Sequence, residues 1–139
     1  MELHGEINYI AVLLCGIVAM GIGALWYSPM LFGKIWVASI DKTEEELEKD
    51  FQPIKAYSVS FLAQLVMAFV LALLLRYVNA GTPEEGIRLG FMVWIGFTAT
   101  TMTVNFLFEG KTFKHFLVDS SYHFIVLMLS GLILGAWSG

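Results

Sequence analysis

Apolar residues run almost unbroken through four stretches of the chain, 8–27, 56–78, 87–108 and 116–137, and the polar residues gather between them. Each stretch is close to the ~20 residues an α-helix needs to cross a 30 Å hydrocarbon core, so the pattern predicts four transmembrane helices. Local signals agree with these limits. Thr82 can N-cap the third helix, with Pro83 at its first position and Glu85 three residues after the cap, and Asn79-Ala80-Gly81 closes the second. In the first connection, 28–55, Pro29 interrupts the helix, and Phe32, Trp36 and Ile40 recur every four residues beside Lys34. That spacing predicts a short amphipathic helix lying in the interface between the first two spans. Thr43 and Glu46 form a capping box for a second short helix with a solvated acidic face. The expectation is an all-α polytopic membrane protein, one four-helix domain over residues 1–139.

Composition strengthens this reading. The chain is 58% apolar and 14% charged, against roughly 45–50% and 25% in soluble domains. Of its twelve acids, six lie between Asp41 and Asp50, so the net charge of −4 reflects one solvated run and says little about a partner. No basic patch with interleaved aromatics is present, which sets nucleic acid aside. Cys15 is the single cysteine, so there is no internal disulfide and no CxxC motif; its expected role is packing. The first span has an acidic leader, MELHGE, and no small-residue cleavage site after it, so it is expected to be retained rather than removed as a signal peptide.

Basic residues set a direction. Lys34, Lys42, Lys49 and Lys55 lie in the first connection and Lys111 and Lys114 in the third, while Arg76 and Arg88 flank the second and neither tail carries any. The positive-inside rule then places the first and third connections in the cytoplasm and both termini outside it.

Small residues recur every fourth position at Ala11, Cys15, Ala19 and Gly23 in the first span, and at Ala56, Ser60, Ala68 and Ala72, with Gln64 among them, in the second. The third starts a similar row at Gly86, Gly90 and Trp94, continuing to Thr98 and Met102, and the fourth carries Asp119, His123, Leu127, Gly131 and Gly135. Such faces pack helices together in lipid, and they support a homo-oligomer as well as a bundle. Trp26, Tyr27, Trp36 and Trp137 are expected in interfacial aromatic belts.

Candidate chemistry lies on the same faces. Ionisable groups inside a span cost about 2.5–3.5 kcal/mol each on insertion scales, so Asp119 and His123, one turn apart in the fourth span, should face protein or a water-filled cavity. At 1.5 Å rise per residue, Asn105, Glu109 and Asp119 lie within roughly 6 Å of the cytoplasmic ends of their helices, beside Trp26, Tyr27 and Ser28 of the first span. Gln64, Thr101 and His123 form a second layer at roughly 12–14 Å. The His–Asp pair can relay a proton; equally, each group can be satisfied structurally, Asp119 by Lys111 or Lys114 and His123 by Gln64 or a threonine. One His and one Asp make a poor metal site, and a metal or haem would need His123 from a second subunit. No nucleophile–base arrangement or cofactor motif is visible, so an enzyme ranks last and no cofactor is expected.

The segment Trp26-Tyr27-Ser28-Pro29, followed by Phe32-Gly33 and Trp36, then Asn105 to Glu109-Gly110 with a basic residue after it, and Tyr122 with Gly135-Ala136-Trp137, resembles the bacterial membrane proteins grouped as domain of unknown function 1761. The resemblance covers nearly the whole chain. It implies a small four-span protein of the bacterial inner membrane and brings no assigned activity. It favours the cytoplasmic-side cluster over His123. Two functions stay open: binding or transport of a small solute, ion or lipid headgroup at Trp26, Tyr27, Ser28, Asn105, Glu109, Asp119 and His123, or a structural or scaffold role in which these groups only join helices.

Overall fold

Four long helices form where the apolar stretches lie, and the computed structural model describes them over residues 1–40 and 42–137. Asp41, first acid of the 41–50 run, lies outside the described residues, as do Ser138 and Gly139 of the 1–139 domain. Helix α1 spans Tyr9–Trp26, and two short helices follow, α2 (Gly33–Ala38) and α3 (Glu44–Asp50). Helix α4 runs Pro53–Tyr77. The third span comprises α5 (Pro83–Val93), a π-helical turn over Trp94–Thr98, and α6 (Ala99–Glu109); α7 (Phe113–Ala136) closes the order. All four long helices have the length and apolarity to cross a membrane.

Three of the spans begin about a turn before the apolar stretches because polar residues start them. Pro53 is tolerated in the first turn of α4, where its missing N–H has no intrahelical partner. Thr82 accepts from Glu85 N at 3.2 Å and donates to Glu85 Oε1 at 2.9 Å, and Thr112 accepts from His115 N at 3.2 Å. Thr43 caps α3 by accepting from Glu46 N at 3.1 Å, as its spacing predicts.

The small-residue stripes sort into two seams. On α1, Ala11, Cys15 and Ala19 are buried against α4 and α7. Gly86 and Gly90 of α5 meet Leu127, Gly131 and Gly135 of α7 backbone to backbone: a Cβ on Gly86 would run into the Gly131 carbonyl, and one on Gly90 would lie 2.5 Å from Leu127 O. Two GxxxG motifs thus face each other in one chain, the close approach such patterns permit in lipid. The α4 stripe holds only in part. Ala68 and Ala72 are buried, but Ser60 is exposed, as the first turns of α4 stand off the bundle.

One expectation fails. The α5 row does not continue through Thr98, because the extra residue of the π turn rotates the helix and puts Ala99 in the buried position. Thr101 is consequently exposed and belongs to no layer with Gln64 and His123. The amphipathic helix α2 forms where its spacing predicts, between the first two spans. It docks on α7, with Trp36 stacked on His115 at 5.6 Å. Trp26 and Trp36 are accordingly half-buried in protein contacts rather than serving only as belt anchors.

Candidate functional site

A sharp turn between α1 and α2 places the first part of the site. Phe32 N donates to Trp26 O at 3.0 Å and Gly33 N to Ser28 O at 2.9 Å, folding the chain back so tightly that a Cβ on Gly33 would lie 2.7 Å from Ser28 O. Ser28 Oγ is consumed by this turn, donating to Leu25 O at 2.6 Å. Trp26 Nε1 donates to Val118 O of α7 at 3.0 Å, pinning the end of α1 to the start of the last span. The same turn aims Tyr27 at α7 and α2 at the first turns of that helix.

On α7, His115 and Asp119 are one turn apart on one face. Asp119 accepts from Tyr27 Oη at 2.6 Å on Oδ1, and its Oδ2 lies 3.0 Å from His115 Nε2. His115 is buried, and its Nδ1 lies 2.9 Å from Ser39 Oγ. Ser39 Oγ is also 2.6 Å from Trp36 O. A hydroxyl has one proton, so Ser39 donates either to Trp36 O or to His115 Nδ1. In the first arrangement His115 Nδ1 carries a proton and donates to Ser39 Oγ. In the second the ring is neutral and donates only from Nε2.

This chain of Ser39, His115, Asp119 and Tyr27 differs from the predicted pair. Asp119 is joined to the histidine before it on the helix, not to His123 after it, because Trp36 and Ser39 hold the His115 ring in place while Tyr27 takes the other carboxylate oxygen. His115 lies ahead of the apolar stretch, and its only signal in the sequence is its four-residue spacing from Asp119. Ser39, His115 and Asp119 also supply a nucleophile–base sequence that is invisible in the linear chain. Ser39, however, does not line the cavity that reaches His115 and Asp119.

That cavity, about 130 Å³, lies between α6 and α7. Asn105, Glu109 and Lys111 line it together with His115 and Asp119, over a floor that includes Phe106 and Phe116, whose rings are 5.2 Å apart. Gly110, with φ of 68°, ends α6 in the left-handed conformation that glycine adopts without strain. Glu109 and Lys111 flank it as an exposed pair at 3.8 Å. Of the residues predicted as a site, Asn105, Glu109 and Asp119 thus converge. Tyr27 touches the group from behind Asp119, whereas Trp26 and Ser28 are occupied with backbone carbonyls.

His123 belongs elsewhere. It lines a second cavity of about 460 Å³ between α1, α4 and α7, with Tyr27, Gln64 and Tyr122. Tyr122 Oη donates to Ala19 O at 2.8 Å and accepts from Gln64 Nε2 at 3.3 Å. Tyr27 is common to both settings, since it lines this cavity and hydrogen-bonds the carboxylate that lines the other. Among the described residues no group of three or more His, Cys, Asp or Glu is placed to hold a metal.

A family model described as a protein of unknown function, DUF1761, matches residues 10–135, which include every residue of both cavities, and the chain belongs to that family. No curated protein and no solved structure matches it.

Proposed function

We propose that this member of the family binds a small solute bearing an amino group in the cavity between α6 and α7. The observation that carries the reading is the composition of that cavity: two carboxylates, Glu109 and Asp119, and the Asn105 amide against one lysine and His115, above the Phe106 and Phe116 rings. Acceptors and aromatic faces suit an ammonium, which gains from both. At about 130 Å³ the space is below the 300–1,000 Å³ of drug-sized sites, so the solute has only a few heavy atoms. A lipid headgroup of the same chemistry qualifies.

Ethanolamine is the probe. In detergent, ethanolamine hydrochloride should raise the melting temperature above that seen with matched sodium chloride, since a ligand at 100 times its Kd stabilises by about 2.7 kcal/mol. Glu109→Gln should abolish the rise. Equal melting curves in the two salts would end the proposal. The competing structural reading is favoured by one observation, that both oxygens of Asp119 already have partners within the chain. It expects no response to ethanolamine in either protein.

We also propose that the protein sits in a bacterial plasma membrane with α2, α3 and the α6–α7 connection in the cytoplasm and both termini outside, on the strength of six lysines against two arginines. A cysteine at Lys42 should react with a membrane-impermeant maleimide only from the cytoplasmic side, and one at Glu84 only from the other. The reverse labelling would invert the topology.

A further inference from the structure

The larger cavity carries an inference separate from the amine site. Tyr57 and Ser60, exposed where the first turns of α4 stand off the bundle, lie on its rim. Its polar groups lie deep: Gln64 is eleven residues into α4 and His123 ten residues into α7, roughly 15 Å along each helix and thus near the middle of a bilayer core.

Two of these groups lack hydrogen-bond partners. Gln64 Nε2 donates to Tyr122 Oη, and the Tyr122 proton goes to Ala19 O, so this network closes on itself and leaves Gln64 Oε1 buried with no donor. With the amide reversed, the Tyr122 proton can go to the Gln64 oxygen instead of Ala19 O, and the enclosed unpaired atom is then the amide nitrogen, so in either setting one end of Gln64 lacks a partner. His123 makes no hydrogen bond among the described residues; the Tyr122 ring lies 5.0 Å from it, and the Asp119 carboxylate acts on it electrostatically. The unpaired end of Gln64 is enclosed by the bundle, whereas the His123 ring lines the unfilled space, and a polar group without a partner there calls for one from that space.

We propose that this cavity binds a phenol-headed lipid, with one hydroxyl of the head bonded to the His123 ring and the second to the unpaired end of the Gln64 amide, once that side chain turns toward the cavity. A volume of about 460 Å³ is in the range of small-molecule sites. The rings of Tyr27, Tyr57 and Tyr122 give its walls three aromatic surfaces, which favour an aromatic head over an aliphatic one. The rim at Tyr57 and Ser60 admits the ligand from the bilayer, with its apolar chain left between α1 and α4.

Decylhydroquinone, kept reduced and added to the protein in phosphatidylcholine nanodiscs, tests this. Saturable binding by equilibrium dialysis is expected, at least tenfold weaker in Gln64→Leu and in His123→Phe, and unchanged in Asn105→Ala at the other cavity. Decanol, which has the chain and a hydroxyl but no ring, should bind at least tenfold more weakly than the hydroquinone. Ser60→Phe on the exposed rim should block entry, and it keeps the test decisive if either interior variant fails to fold. Non-saturable uptake, equal binding of decanol, or full binding by the rim variant and any folded interior variant would overturn the proposal. None of these readouts depends on ethanolamine, so the two cavities succeed or fail separately.

Discussion

Replacing Gly86 with alanine should drive α5 off α7 and produce the largest loss of stability of any single methyl group added to this chain. The new Cβ would enter the Gly131 carbonyl group, with Gly131 C at 2.7 Å, and the Gly135 Cα lies only 3.3 Å away. These are backbone atoms, so no side chain can swing aside. Overpacking typically costs about 1–3 kcal/mol and more where the surroundings cannot yield, and about 3 kcal/mol or more is expected here. Melting or denaturant titration in detergent measures it. Gly131→Ala should cost a similar amount, because its Cβ would strike the Gly86 carbonyl in return. Since one separation of the helices relieves both clashes, the double variant should lie close to either single one, far from the sum. Gly21→Ala is the control: a Cβ there meets nothing within 4 Å, so stability should hold or rise slightly. A Gly86→Ala protein that melts with the parent would mean the seam is not as tight as described.

Asp119→Ala should be the next most damaging change, and Asp119→Asn much milder. Alanine leaves two donors without their acceptor at once, the half-buried Tyr27 hydroxyl and the buried His115 ring, and each donor left unsatisfied costs about 1–3 kcal/mol. Asp119 borders the α6–α7 cavity, where water can approach, so the lower end of that range is expected. Asparagine keeps the shape. Its oxygen can still accept from Tyr27, and its amide can donate to His115 Nε2 if the ring carries its proton on Nδ1 and donates to Ser39. The asparagine variant should therefore fold, with His115 in that one tautomer in nitrogen NMR spectra. It should lose the ability to exchange a proton between Ser39, His115 and residue 119. Equal destabilisation by alanine and asparagine would show that the carboxylate charge itself, rather than the hydrogen-bond chain, holds this end of the protein together.

Several features were legible because they depend on neighbours in the sequence. Thr43 and Thr82 cap their helices through donors three residues on, and Pro29 lies in the turn that follows α1. The convergence of Asn105, Glu109 and Asp119 was legible too, since helix rise alone puts them at one depth. The partner of Asp119 was not. Residues four before and four after it are equivalent on a helix, and both are histidines. What separates them is α2, which brings Trp36 and Ser39 against His115 from 76 residues away. Thr101 was misplaced for a related reason: a straight helix carries it inward, and the π turn ahead of it rotates it out.

The amino-acid sequence alone determined that this is a four-span all-α membrane protein, because the free energy of placing apolar stretches of this length in lipid depends on composition and length rather than on partners. It also determined which helix faces carry small and polar residues. Only the tertiary structure decided which of those faces meet. Gly86 and Gly90 lie against Gly131 and Gly135, Asp119 sits between Tyr27 and His115, and the polar residues divide into two cavities. Periodicity states where a side chain points around its own axis, while the rotation of one helix against the next is set by close packing of backbones far apart in the chain.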